Sequence, residues 1–291
     1  MTILVTGSTG LIGSRVVAAL AADHADIRAL SRSPEKASFP QGVTAVAGDL
    51  LDVGAMRDAL QGVDTLFLLV ANAADELTKA LLTLNLAREA GVRGIVYLSV
   101  FGGETFGDVP HFASKWAVER MIEQDDLPAT ILRPGYFMQN DLNQKASLLG
   151  DGVYGMPVGG SGLSMVDVRD IVEAATIELL RRDRAADRLP RETYALVGPD
   201  ALTGQDLAAL WSAALGRSVR YGGDDLDLLE KRLRAFAPGW LAYDMRRMMQ
   251  RYQQDGAVAS AAELARLAAL LGHAPRSYCA FASEAAATFA G

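Results

Sequence analysis

The stretch Thr6-Gly7-Ser8-Thr9-Gly10-Leu11-Ile12-Gly13 constrains the fold of this chain more than any other. It follows Ile3-Leu4-Val5, a short apolar run that reads as a buried strand, and it opens a helical pattern from about Leu11 to Ala22. A glycine-rich turn wedged between a first strand and a first helix is the start of a βαβ unit. Each glycine has its own reason to be there. Gly7 permits the tight turn, Gly10 lets the backbone come close to a pyrophosphate, and Gly13 lets helix pack closely on strand. The start of the helix adds N–H groups without intrahelical partners and a partial positive charge, both of which attract an anion. Gly7, Ser8, Thr9, Gly10, Leu11, Ile12 and Gly13 are therefore the candidate phosphate cradle.

The alternation continues through the first half. Ile27 to Leu30, Val43 to Val46, Asp64 to Val70, Ile95 to Ser99 and Ala129 to Leu132 read as further strands. Between them lie a helix capped by Asp52 and stopped near Gly62, one from about Asp75 to Ala90, and one starting near Pro110. Continuous apolar strands separated by helices predict a parallel sheet covered on both faces, an α/β architecture of the Rossmann-type, doubly wound kind. Glycines and prolines break the pattern between Gly150 and Gly162. Past them a helix after Asp167 and a strand at Thr193 to Val197 are expected, and then helices almost throughout. Thr203 with Asp206 and Ser260 with Glu263 read as capping boxes, with stops at Gly216 and Gly272. The expected division is a dinucleotide-binding domain over 1–150, with parts of 164–198 returning to it, and a smaller, mostly helical substrate-binding lobe over 151–291.

Composition narrows the partners. Half of the 291 residues are hydrophobic, enough for a large core. With 28 Lys and Arg against 35 Asp and Glu the net charge is −7 and no basic tail stands out, which argues against nucleic acid. A small-molecule substrate is expected, with a homodimer or a protein partner left open. Cys279 is the single cysteine, so neither an internal disulfide nor a cysteine zinc site is available, and His24, His111 and His273 spell no metal motif. The run Leu66 to Ala71 falls well short of the ~20 residues that span a bilayer. The chain as given opens directly on Thr2-Ile3-Leu4-Val5, without the regions of a signal peptide, and a cytoplasmic setting is expected.

The end of the second strand bears on which dinucleotide binds. A site for NAD places Asp or Glu ~20 residues beyond the glycines, to accept from the ribose 2′-hydroxyl. Here the chain reads Ser31-Arg32-Ser33, with Lys36 close behind. Arg32 can pair bidentately with a 2′-phosphate that a carboxylate would repel, and Ser31 can donate to it, so NADP(H) is preferred over NAD(H). Asp49, in Gly48-Asp49-Leu50, is placed either to meet the adenine or to start a helix. Asn72 ends the fourth strand, where ligands bind in such sheets.

Further motifs give the whole pattern a family likeness. Val96-Tyr97-Leu98-Ser99, Ser114-Lys115 with Glu119, Ile131 through Asn140, Gly152-Val153-Tyr154-Gly155 and Met165 through Ile171 join the glycine loop and the Gly48-Asp49-Leu50 corner. Together they resemble the NmrA-like atypical short-chain dehydrogenases/reductases over nearly the whole chain, more weakly after about Gly216. That family includes bacterial NAD(P)H quinone oxidoreductases, a triphenylmethane dye reductase and a regulator that binds dinucleotide without evident turnover. The wider group uses Tyr-x-x-x-Lys on one helical face beside the nicotinamide. Here His111-Phe112-Ala113-Ser114-Lys115 stands in that place, with histidine where the tyrosine belongs. The resemblance implies Lys115 as the ribose contact and Ser99 and Leu50 beside the cofactor. His111 is a candidate general acid or a packing residue at the helix start, and Lys115 is otherwise a surface lysine four residues before Glu119.

The segment Tyr136-Phe137-Met138-Gln139-Asn140 is expected to pass over the nicotinamide, with Tyr136 at the cofactor and Phe137, Met138 and Asn140 at the substrate; Phe101 is a further pocket candidate. Aromatic and thioether side chains suit a flat apolar substrate. The expected activity is NADPH-dependent reduction of a small flat conjugated compound such as a quinone or enone, and the competing expectation is a non-catalytic NADP(H) sensor.

Overall fold

The computed structural model describes residues 1–289. In chain order its elements are β1 (Thr2–Val5), α1 (Gly13–Ala22), β2 (Asp26–Ser31), β3 (Val43–Ala47), α2 (Val53–Leu60), β4 (Thr65–Leu68), α3 (Glu76–Glu89), β5 (Gly94–Leu98), α4 (Pro110–Gln124), β6 (Ala129–Pro134), α5 (Lys145–Leu149), β7 (Val153–Tyr154), α6 (Val168–Arg184), β8 (Glu192–Leu196), α7 (Gly204–Leu215), β9 (Arg220–Tyr221), α8 (Leu226–Leu233), α9 (Gly239–Asp255), α10 (Ala261–Leu271) and α11 (Tyr278–Phe289). The helix expected from Leu11 starts at Gly13 instead, because Gly10 N–H turns back to the Gly7 carbonyl and holds the preceding residues in a loop. The chain forms two units, one of residues 1–100, 113–133 and 171–194, the other of 101–112, 134–170 and the residues from 195 on.

In the first unit the apolar runs pair side by side. The strand order is β3-β2-β1-β4-β5-β6-β8, and the pairs from β3 to β6 are parallel. The order reverses between β1 and β4, and such a switch point leaves a crevice outside the carboxyl ends of the strands. One face of the sheet, with Leu4, Leu66, Leu68, Ile95, Tyr97 and Ile131, is buried against Met56 and Leu60 of α2, Leu84 of α3 and Val118 and Ile122 of α4. Side chains of this size contribute about 1.5–3 kcal/mol each when fully buried. Arg182 of α6 ties that helix to β6. It donates to Thr130 Oγ1 at 2.7 Å and to the Pro128 carbonyl at 3.1 Å, and burial brings its guanidinium down to about 10.

The second unit is mainly helical, as expected, with both capping boxes in place at α7 and α10. Its small sheet, β7 beside β9, has no counterpart in the sequence reading, since two-residue strands carry no alternation to detect. At its centre Asp141 is fully buried and accepts from Tyr278 at 2.5 Å, Tyr154 at 3.0 Å and Gln144 at 3.0 Å. Burial pushes its carboxyl up to about 6, against the pull of the three donors. The folded chain therefore binds a proton here that the unfolded chain, with an ordinary carboxyl near 3.9, has released. The stability this contributes is full below about pH 4 and is lost as the pH rises through 6. Asp141→Asn, neutral at every pH, should flatten the stability profile between about pH 4 and 7 by roughly 2–3 kcal/mol. Urea titrations at several pH values check this, and an unchanged slope would mean that Asp141 is solvated.

Candidate functional site

The glycine loop leaves β1 at the switch point with Gly7 at φ +61°, a left-handed conformation that glycine adopts freely. A Cβ at Gly7 would stand 2.6 Å from Leu69 Cδ2. One at Gly13 would stand 2.7 Å from the Gly7 carbonyl carbon and closer still to its oxygen. Side chains pin the loop at both neighbouring strands: Ser8 Oγ donates to the Leu30 carbonyl at 2.7 Å, and Thr6 Oγ1 donates to Leu69 O and accepts from Leu69 N–H. Thr9, Gly10 and Leu11 remain exposed, whereas Ile12 is buried. The start of α1 carries neither a capping side chain nor an acidic residue. A rigid glycine cradle at an uncapped, positive helix end fits the pyrophosphate of a dinucleotide.

The neighbouring strand end carries the charge. Ser31 is half-buried and accepts from Ser33 N–H at 3.2 Å. Arg32 and Lys36 are exposed, and among the described residues neither has an ion pair or a side-chain hydrogen bond. Asp49 Oδ1 accepts from Leu51 N–H at 2.9 Å, which closes the turn ahead of α2, and Leu50 packs on the core of this unit.

Two buried carboxylates organise the ends of β4 and β5. Asn72 lies in the loop after β4, and Glu76, the first residue of α3, is 3% exposed and ion-paired with Lys115 Nζ. A negative charge in the first turn of a helix is well placed. Glu119 is fully buried; it accepts from Ser99 Oγ at 2.5 Å and from Arg133 at 2.6 Å and 3.1 Å. Lys115 and Glu119, one turn apart, thus have separate partners instead of forming a surface pair. Tyr97, between these carboxylates, is enclosed, and burial together with the charges of Glu76 and Glu119 pushes its hydroxyl well up, so it stays neutral.

The remaining candidates belong to the second unit. His111, in the first turn of α4, has its Nδ1 2.5 Å from Asp244 Oδ2 of α9, without the alignment of a linear hydrogen bond. Its main-chain N–H donates to Asp244 Oδ1 at 3.1 Å. Tyr136 is buried 6.4 Å from the Tyr252 ring, and burial pushes its hydroxyl well up; Asn140 is half-buried. Met138 is 1% exposed, with its Cε against Gly198. Phe101 and Phe137 are half-buried.

Glu76 and Asp244 have no place in the sequence reading. Asp244 had one detectable signal: it interrupts the buried face formed by Ala242, Met248, Met249 and Tyr252. A hollow of about 440 Å³ also exists at the opposite ends of β5 and β6, lined by Arg88, Arg93, Asp125, Asp126 and Arg188. There the charges pair with one another, Arg88 with Asp125 and Arg188 with Asp126, and the hollow lies away from the phosphate loop.

Comparison with known proteins agrees with this geometry. The NAD(P)H azoreductase of Xenophilus azovorans is 34% identical over 223 residues, which cover 75% of this chain and 76% of that protein. The (4-alkanoyl-5-oxo-2,5-dihydrofuran-3-yl)methyl phosphate reductase of Streptomyces griseus is 31% identical over 291 residues, 99% of each chain. Among solved structures, the NADPH-dependent quinone oxidoreductase of Escherichia coli in complex with NADPH superposes with a TM-score of 0.85 at 25% identity, covering 97% of this chain and 99% of that one. A Rossmann-ordered sheet with this loop, matched end to end by reductases, defines a dinucleotide-binding oxidoreductase. The chain belongs to the NmrA-like family, whose model matches residues 1–267.

Proposed function

We propose that this protein is an NADPH-dependent reductase acting on small, flat, conjugated acceptors of the quinone or enone class. The observation that carries the reading is the pair of unengaged cations, Arg32 and Lys36, at the strand end beside the glycine cradle, where an NAD site would hold a carboxylate. The named relatives support the acceptor class. A quinone, an azo bond and a dihydrofuranone whose ring double bond is conjugated to the oxo group are all π systems that take up a hydride readily.

Bound NADPH would supply the hydride; the chain's own residues bind, orient and protonate. Gly7 through Gly13 hold the pyrophosphate, and Ser31, Arg32 and Lys36 hold the 2′-phosphate. Lys115, ion-paired with Glu76, would hold the nicotinamide ribose, with Asn72 and Ser99 bordering it. His111, in the place of the tyrosine, is the proton donor. Phe101, Phe137 and Asn140 offer apolar and polar surface for a flat substrate.

Following NADPH absorbance over a panel of quinones and enones tests this. Oxidation with at least one class is expected, whereas tight cofactor binding with no turnover on any would make the protein a dinucleotide sensor. Arg32→Ala should weaken NADPH binding about 10- to 100-fold and leave NADH binding little changed. Calorimetry with both cofactors decides, and equal losses would remove the 2′-phosphate assignment.

A further inference from the structure

We propose that Asp244 is the positioning residue for His111, holding its imidazole so that Nε2 is the atom that delivers the proton; this rests on the reductase reading above. The carboxylate is 1% exposed and both of its oxygens meet one residue 133 positions earlier in the chain: one accepts its main-chain N–H and the other lies 2.5 Å from its ring Nδ1. A surface ion pair has no need to grip a backbone amide. The two contacts together hold the start of the helix and bring the imidazole against the carboxylate. Phe112 stands edge-on to the imidazole, 4.6 Å between ring centres, and blocks a third direction. Nδ1 is enclosed against the Asp244 carboxylate, and Nε2 is the ring nitrogen on the far side of the imidazole. A carboxylate at Nδ1 selects the state in which that nitrogen carries a proton, which leaves Nε2 as the exchanging site.

The balance of the reaction shows when this matters. Reduction of an enone adds a hydride at the β-carbon and a proton at the α-carbon or the oxygen. The donor is the imidazolium: its Nε2–H bond breaks as the bond to the α-carbon or oxygen forms, the ring is left as the neutral Nδ1–H tautomer facing Asp244, and a proton from solvent restores the cation. A delocalised cationic dye takes up the hydride at its central carbon, becomes neutral and needs no proton. His111 and Asp244 should therefore matter for the first acceptor and not for the second.

Asp244→Asn is the test, because the amide can still accept the His111 main-chain N–H while the negative charge at Nδ1 is removed. On an enone, kcat should fall about 10²-fold with KM little changed, as befits loss of a positioned general acid. On a cationic triphenylmethane dye, kcat should stay near that of the wild type, and NADPH affinity measured by calorimetry should not move. In the cofactor-free protein, ¹⁵N NMR of the imidazole should show the Nδ1-protonated form of His111 in the wild type and a mixture in the variant. Equal losses on both acceptors, no loss on either, or an unchanged imidazole spectrum would each overturn the proposal. If the wild type reduces neither acceptor, the reductase reading falls and the proton role falls with it, while the NMR comparison still reports separately whether Asp244 sets the state of the ring.

Discussion

Gly13→Ala is expected to lower NADPH affinity by at least about 10²-fold and the melting temperature by about 5 °C. The added methyl would press on the Gly7 carbonyl carbon and oxygen and, at 3.0 Å, on Ser8 Cα. All three are backbone atoms, so no rotamer change relieves the clash, and either α1 or the loop has to move. Moving the loop breaks the turn in which Gly10 N–H donates to Gly7 O at 3.0 Å, and with it the alignment of the cradle. Gly10→Ala provides the contrast. Its Cβ would lie 3.4 Å from Gly7 O, a contact the fold can tolerate, so the melting temperature should hold while NADPH affinity falls, if the exposed face of Gly10 is where the proposed pyrophosphate approaches. Calorimetry and thermal melts on both variants separate the two effects. Wild-type affinity in Gly13→Ala would show that phosphates are not bound at this loop.

The second large effect is expected at Glu119. Its carboxylate is fully enclosed between the Ser99 hydroxyl and the Arg133 guanidinium, which also lies over the Trp116 ring, 5.3 Å from its centre. Glu119→Ala removes the acceptor of the buried Ser99 hydroxyl and a bidentate partner of the Arg133 guanidinium, and about 2–4 kcal/mol of stability should be lost. Glu119→Gln keeps the shape and one acceptor oxygen and should lose about half as much. Urea unfolding of the two variants measures both values. A loss below about 1 kcal/mol for the alanine variant would place Glu119 in the class of surface pairs.

The loop, the alternation of the first half and the helix caps are legible in the sequence because their signals are local. Asp52 accepts from Ala55 N–H, Thr203 and Ser260 close their boxes, and Gly216 and Gly272 take up left-handed conformations, all within a few residues of the letters that announce them. The partners of the candidate site residues are not local. Lys115 meets Glu76 across 39 positions and His111 meets Asp244 across 133. In one dimension Glu119 reads as the neighbour of Lys115 on a helix face. Only the placement of α3 and β6 shows that each of them is taken by another group.

The order in which the chain visits its two units bears on how such a protein can be cut or recombined. The backbone passes between them at 100/101, 112/113, 133/134, 170/171 and 194/195. A fragment ending at residue 150 would lack Arg182 and Glu178, and Thr130 on β6 would lose both of its side-chain partners. A single crossover cannot exchange one unit whole, because each is assembled from three separate stretches of chain, and a replacement has to splice the backbone at several of these junctions.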